Sequence, residues 1–202
     1  VVIDAWLGPA RAHALRLEVI ALVDAQHFHP AGIGAGEARI LTSQVRRDSV
    51  CWFDVDGLAG VRPGIHVALF LARLDLLVAH LNHTCFLALQ QVECHAACFE
   101  PGAFYGAHKD AFRGGVGRVI SYCYYLNDAW SEAAGGCLRV HARAQRDVAP
   151  LLDRLVVFRS ADLCHEVLPT AARRLSLTGW LSRAPAMQIL HPANYPRPAI
   201  RP

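Results

Sequence analysis

Two hydrophobic periods divide the chain. From about residue 9 to residue 83, apolar positions recur at three- and four-residue intervals; from about 86 to 182 they alternate with polar positions. Leu15, Val19, Leu22 and Val23 make a helical stripe within residues 9–26, and Pro9 suits the first turn of that helix. Residues 1–7 before it read as a short strand. A second and longer helix is predicted over about 64–82, behind Pro63-Gly64. Its buried stripe runs through Leu69 or Phe70, Leu74, Leu77, Val78 and Leu81. Beyond Phe86 the period changes to two. Residues 86–99 predict one or two strands, and further strands are predicted over 118–127, 137–141, 155–158, from 165, and over 174–181. Pro101-Gly102, Asn127-Asp128, 150–153 and 169–172 mark turns between them. Helices followed by about eight closely spaced strands predict an α+β protein whose β-part is a jelly roll.

The pattern breaks at three places. Residues 31–50 carry Gly32, Gly34 and Gly36, but no apolar strand precedes this Gly-x-Gly and no clear helix follows, so it reads as a mobile loop rather than a phosphate cradle. Later in that loop, Arg46 and Asp48 either pair across a turn, contact a substrate or stand solvated; Cys51-Trp52-Phe53 anchors the loop to the core. Residues 114–117 form a glycine-rich loop. From 184 to 202, Pro185, Pro192, Pro196, Pro198 and Pro202 interrupt any regular structure. The expected organisation is one domain over 1–183, with helical support at about 9–83 and a jelly roll at about 86–182, followed by a proline-rich tail.

Composition narrows the function classes. The chain has 202 residues, 53% hydrophobic and 18% charged, enough for one substantial core. A net charge of +3 without a Lys/Arg run argues against nucleic acid as partner. No run approaches the roughly 18 apolar residues of a membrane span, since Arg73 and Asp75 interrupt the most apolar helix. Seven cysteines with no Cys-x-x-Cys match no disulfide framework, which reads as reduced thiols in a cytoplasmic protein. Cys94, His95 and Cys98 lack further zinc-type ligands and read as core residues. His27 with His29, and His80 with His83, read as polar residues near helix ends.

The chemistry concentrates at His108-Lys109-Asp110, with His165 fifty-five residues after Asp110 and Arg174 nine beyond that. Two imidazoles and a carboxylate on one face of a metal leave the other face open, the arrangement of non-heme Fe(II) oxygenases. In a strand, residues two apart share a face, so His108 and Asp110 both reach one metal while Lys109 points away. Arg174 offers a planar fork for a carboxylate. The alternative is that these are ordinary polar side chains among eleven histidines and twenty basic residues.

The surrounding residues decide between them. CFEPGAFYGAHKD, RVISYCYYLN, GGCLRVH, DRLVVFRS and CHEVLPTAARRLSLTGW resemble the prolyl 4-hydroxylase branch of the 2-oxoglutarate/Fe(II)-dependent oxygenases, the type that includes hypoxia-sensing prolyl hydroxylases and their bacterial relatives. The resemblance spans 94–182 and continues more weakly over 1–60, where Arg46-x-Asp48 followed by Trp52 also fits. It implies a double-stranded β-helix with His108, Asp110 and His165 as iron ligands. Arg174 and Tyr125 are implied for the far carboxylate of 2-oxoglutarate, with Thr178 and Tyr105 beside them; Arg118, Trp180, Arg46 and Asp48 are implied on the substrate side. Phe99 stands where the resemblance leads one to expect a further pocket tyrosine. The implied reaction uses O2 and 2-oxoglutarate, with ascorbate as a reductant, to hydroxylate a prolyl residue in a protein or peptide. Succinate and CO2 are its co-products. Three other readings stay open: a hydroxylase of a free amino acid or small metabolite, a metal-binding jelly roll without turnover, and a zinc hydrolase on the same ligands. The last leaves Arg174 and Tyr125 without a role.

Overall fold

Two helices cover one face of a seven-stranded antiparallel sheet, and a four-stranded sheet lies against the other face. This is the arrangement of a computed structural model that describes residues 1–33, 40–54, 56–57, 60–110 and 117–183. Gly34, Gly36, most of the loop expected at 114–117 and the tail from 184 lie outside the described residues. In chain order the elements are β1 (Val2–Ile3), α1 (Pro9–Asp24), β2 (His29–Pro30), β3 (Ser49–Trp52), α2 (Ile65–Cys85) and β4 (Gln91–Phe99). There follow β5 (Tyr105–His108), β6 (Arg118–Tyr125), β7 (Leu138–His141), β8 (Arg146–Val148), β9 (Leu155–Arg159), β10 (Cys164–Val167) and β11 (Arg174–Ser182). The large sheet runs β1-β9-β6-β11-β4-β3-β2 and the small one β5-β10-β7-β8. These two facing sheets with helical support are the double-stranded β-helix and α+β class expected from the sequence.

Alternation along β4, β6 and β11 makes two cores. Cys94, Ala96, Cys98, Tyr122, Tyr124, Leu175, Leu177 and Leu181 face the helices, where Leu15, Val19, Val67, Phe70 and Leu74 meet them. Ala97, Phe99, Tyr125, Val156 and Phe158 face the small sheet, where Leu138, Val148 and Val167 close the second core. The cysteines at 94 and 98 are therefore core thiols, and all seven cysteines are free. In α2 the buried stripe is Val67, Phe70 and Leu74, whereas Leu69 is exposed. By length and composition alone α2 also passes for a membrane-crossing helix; here it packs one face on the sheet and leaves Ile65, Leu69 and Leu76 exposed.

Several elements differ from expectation, each for a long-range reason. Residues 86–90 are not strand. Phe86 and Ala88 take positive φ, and the Asn82 side chain clasps both backbone groups of Leu89 at 2.7 and 2.8 Å. The start of α2 is capped from α1, because Glu18 accepts from the backbone N–H groups of His66 (2.8 Å) and Val67 (3.2 Å). β3 emerges at the end of the expected loop because β4 supplies its ladder, with Ser49 opposite Cys98 and Trp52 opposite His95. β8 forms on β7 over a stretch without apolar alternation.

Gly179 marks how closely the central strands approach. An added Cβ there would overlap the carbonyl oxygen of Glu93 and lie 2.8 Å from Tyr122 Oη. Gly179→Ala is expected to cost about 3 kcal/mol through forced separation of β11 from β4. That corresponds to a melting temperature lower by about 6–12 °C for a chain of this size. A thermal scan showing no change would contradict this register.

Candidate metal centre

The small sheet places two imidazoles side by side. β10 pairs with β5 so that His165 lies directly opposite His108, and their ring centroids are 4.3 Å apart. His108 Nδ1 lies 2.8 Å from Gly106 O, and His165 Nδ1 lies 3.2 Å from Leu163 O. A carbonyl oxygen accepts only, so each Nδ1 carries the proton and each Nε2 keeps a lone pair for a metal. Both Nε2 atoms face the Asp110 carboxylate, at 3.4 Å from His108 and 3.7 Å from His165. The ligand atoms of all three lie within 4.8 Å of one another, and among the described residues they are the group that can hold a metal. His27 with His29, His80 with His83, and Cys94-His95-Cys98 form no such group among the described residues.

The way Asp110 arrives differs from the sequence expectation. β5 ends at His108, its last pair with β10, and Asp110 stands in a bend two residues later. A bend beyond the strand end, not strand alternation, therefore brings the carboxylate to the imidazoles. Burial disfavours its charge, but the imidazoles of His108 and His165, whenever protonated, outweigh that and hold Asp110 below the ordinary carboxylate range. Burial lowers the pKa of His165, opposed by Asp110 and reinforced by His108, which favours the neutral imidazole that a ligand requires. Two neutral imidazoles and a carboxylate are the donor set that suits Fe(II) with open positions opposite. Tyr105 stacks on His108 at 3.7 Å and Phe158 meets His165 edge-on at 4.7 Å, so both rings are held in orientation.

Across the gap, β11 presents Arg174, Ser176, Thr178 and Trp180 on one face. Arg174 is 3% exposed, yet among the described residues it meets no carboxylate. Its Nε donates to Gly136 O at 2.8 Å and its Nη1 lies 3.4 Å from Ser176 Oγ. Gly136, at φ +70°, makes room for it, since an added Cβ would sit 2.9 Å from Arg174 Cδ. The guanidinium lies near the rings of Phe99 (4.9 Å) and Tyr125 (5.0 Å), and among the described residues the buried Tyr125 hydroxyl has no hydrogen-bond partner. A buried cation without an acid beside an orphaned hydroxyl is a receptor for an anion from outside the chain. The carboxylate of 2-oxoglutarate fits it. Thr178 lies two residues further along β11, its hydroxyl donating to Tyr122 O at 2.8 Å.

The other end of the site is aromatic. Arg118 covers the Trp180 ring at 3.3 Å and is tied to Glu93 at 3.0 Å. Trp180 stacks near Trp52 at 6.1 Å, and His95 stands against both, 4.4 Å from Trp52 and 5.6 Å from Trp180. Arg46 and Asp48 are paired and enclosed rather than solvated. Arg46 Nε donates to Asp48 Oδ1 at 2.7 Å, and the guanidinium covers the Tyr105 ring at 4.1 Å. They thus buttress Tyr105 and, through it, His108.

His95 is the site residue that sequence reasoning assigned to the core. The signal available was the period of two, which puts it on the face of Ala97 and Phe99, away from Cys94 and Cys98. Burial, with help from Arg46 and Arg118 and against Asp110, pushes its pKa down from 6.5 to about 3. The unfolded chain therefore takes this proton first. His95 adds stability fully above pH 6.5 and loses that contribution as the pH falls toward 3. Denaturant titrations of a His95→Phe protein should show a shallower decline from pH 6.5 to 4 than the parent, and identical slopes would contradict this.

Comparison with known proteins agrees with this geometry. Residues 94–182 match the model of the 2OG-Fe(II) oxygenase superfamily. A prolyl-4-hydroxylase from Pseudomonas putida is 34% identical over 91% of this chain and 92% of its own, with a TM-score of 0.80. A prolyl 4-hydroxylase from Phytophthora capsici is 26% identical over 96% of this chain and 60% of its own, with a TM-score of 0.70. A prolyl hydroxylase from Trichoplax adhaerens, solved with a hypoxia inducible factor peptide fragment, shares the fold at 24% identity and a TM-score of 0.80, over 91% of this chain and 83% of its own. With the triad, the anion receptor and a relative of this similarity in place, the chain belongs to the 2OG-Fe(II) oxygenases and is a 2-oxoglutarate-dependent dioxygenase of the prolyl-4-hydroxylase-like kind.

Proposed function

We propose that this enzyme hydroxylates a prolyl residue within a protein or peptide. The observation that carries the reading is the 34% identity over 91% of the chain with a prolyl-4-hydroxylase, together with an aromatic wall beside the triad. That the same fold holds a peptide fragment in the Trichoplax adhaerens complex supports it.

When bound, Fe(II) with 2-oxoglutarate and O2 supplies the oxidising power to hydroxylate an unactivated C–H bond, with loss of succinate and CO2. The chain's own groups hold and orient the participants. His108, His165 and Asp110 bind the metal from one side and leave the other side open. Arg174 would receive the far carboxylate of 2-oxoglutarate, and Tyr125 would donate its hydroxyl to it. Thr178, two residues from Ser176 on β11, and Tyr105, stacked on His108, would flank the bound co-substrate. Trp180 and Arg118 form the wall on which the substrate lies, while the Arg46–Asp48 pair, beside Tyr105, borders the substrate side. Phe99 keeps the apolar ring against Arg174 and leaves carboxylate binding to Arg174 and Tyr125 alone.

The test is succinate formation by Fe(II)-loaded protein with 2-oxoglutarate and O2, with and without proline-containing peptides. Peptide-stimulated succinate and a product heavier by one oxygen are expected. Stimulation by free proline alone would transfer the activity to an amino acid, and no succinate with iron bound would overturn the reading.

A further inference from the structure

Two buried polar atoms at the aromatic end of the site have no partner among the described residues. They are Nδ1 of His95 and Nε1 of Trp180. The two rings lie 5.6 Å apart, on the strand face that carries Thr178 and Arg174. Neither orphan is explained by the metal or by 2-oxoglutarate. Arg174 is four residues from Thr178, which pairs with His95, so the carboxylate receptor lies roughly 13 Å along the strands from His95.

Buried polar groups are nearly always satisfied, and each one left bare destabilises the fold. Two at one place, in a wall otherwise made of Trp52 and the Trp180 ring, describe a seat for a polar group that arrives with a ligand. The chemistry of that group follows from the atoms. An indole N–H only donates. A neutral imidazole nitrogen donates or accepts, according to its tautomer. The charged neighbours are already engaged, Arg118 with Glu93 and Arg46 with Asp48. Among the described residues a second carboxylate finds no free cation there, and a cationic group meets two arginines. A neutral amide satisfies both orphans.

We propose that His95 and the indole nitrogen of Trp180 together bind a backbone amide of the peptide substrate, with His95 as a positioning residue that sets where the target carbon rests before the metal. This rests on the peptide-hydroxylase reading and deepens it. An amide flanking the target residue is held by its carbonyl on Trp180 Nε1–H and by a second hydrogen bond on His95 Nδ1. A free amino acid, with a carboxylate and an ammonium in that place, is refused.

The experiment is calorimetric titration of anaerobic protein loaded with Fe(II) and 2-oxoglutarate. The probes are acetyl-Ala-Pro-Ala-amide and free L-proline. The parent should bind the blocked tripeptide and not the amino acid. His95→Phe keeps a ring in the cluster and removes the nitrogen; it should weaken the tripeptide about tenfold, the loss of one hydrogen bond. Its KM for peptide should rise, and the ratio of hydroxylated peptide to succinate should fall, because a misplaced carbon uncouples the reaction. His95→Asn restores an amide nitrogen near the place of Nδ1 and should recover most of the affinity. Unchanged tripeptide binding by His95→Phe overturns the role of His95 while leaving the peptide-hydroxylase reading intact. Equal losses in both variants that track lower melting temperatures also overturn it, since packing then explains them. A parent that binds L-proline and not the tripeptide removes both.

Discussion

Replacing Asp110 with alanine is expected to leave a folded protein that neither retains Fe(II) nor forms succinate. The carboxylate stands between two Nε2 atoms at 3.4 and 3.7 Å and is the one anionic ligand of the three. Its loss takes away a donor and the charge that offsets a dication in a site sheltered from water. Changing a group that merely orients a metal ligand costs about 10–100-fold in affinity or activity, so loss of the ligand itself should exceed about 100-fold. Asp110→Asn keeps the shape without the charge and should fail nearly as badly. Iron content after gel filtration and succinate formation are the measurements. Full iron and full turnover in either variant would end the assignment of the triad. A melting temperature close to that of the metal-free parent would show that the loss is chemical rather than structural.

Arg174→Ala is expected to act on 2-oxoglutarate and leave the metal in place. The guanidinium is 3% exposed, and its hydrogen bonds go to Gly136 O and Ser176 Oγ, both neutral. A charge-assisted hydrogen bond contributes about 1.5–3 kcal/mol, so the affinity for 2-oxoglutarate should fall by about 10–100-fold. Arg174→Lys retains charge without the fork and should fall between. Binding of 2-oxoglutarate to Arg174 should also leave a thermal signature that needs no turnover. Saturating 2-oxoglutarate at about 100 times its Kd should stabilise the Fe(II)-loaded parent by about 2.7 kcal/mol, and a variant that binds poorly should show little of this. If Arg174→Ala shows the parent's apparent affinity and the parent's stabilisation, the receptor lies elsewhere. Tyr125→Phe removes the orphaned hydroxyl and should give a smaller loss in the same two measurements.

The periodicities and the motif residues were legible in the chain itself, because both are local. A period of two over 174–181 suffices to put Arg174, Thr178 and Trp180 on one face and the leucines on the other, and β11 does so. His-x-Asp with a distal histidine names a donor set whatever holds it. Tertiary structure decided what depends on partners distant in sequence. His165 becomes a neighbour of His108 only because β10 pairs with β5, a register set by two sheets closing on one core. β3 needs β4, the start of α2 needs Glu18, and Asn82 turns an apolar run into a clasp. Arg46 and Asp48 offered three readings as a charged pair near a loop; burial beneath the Tyr105 stack selected the pair. His95 is the clearest case. Its sequence neighbours are core residues, and its own identity says nothing of whether a nitrogen will be left bare. Only when Trp52, Trp180 and the two paired arginines surround it does the missing hydrogen bond exist, because satisfaction of a polar atom is a property of all the groups packed around it.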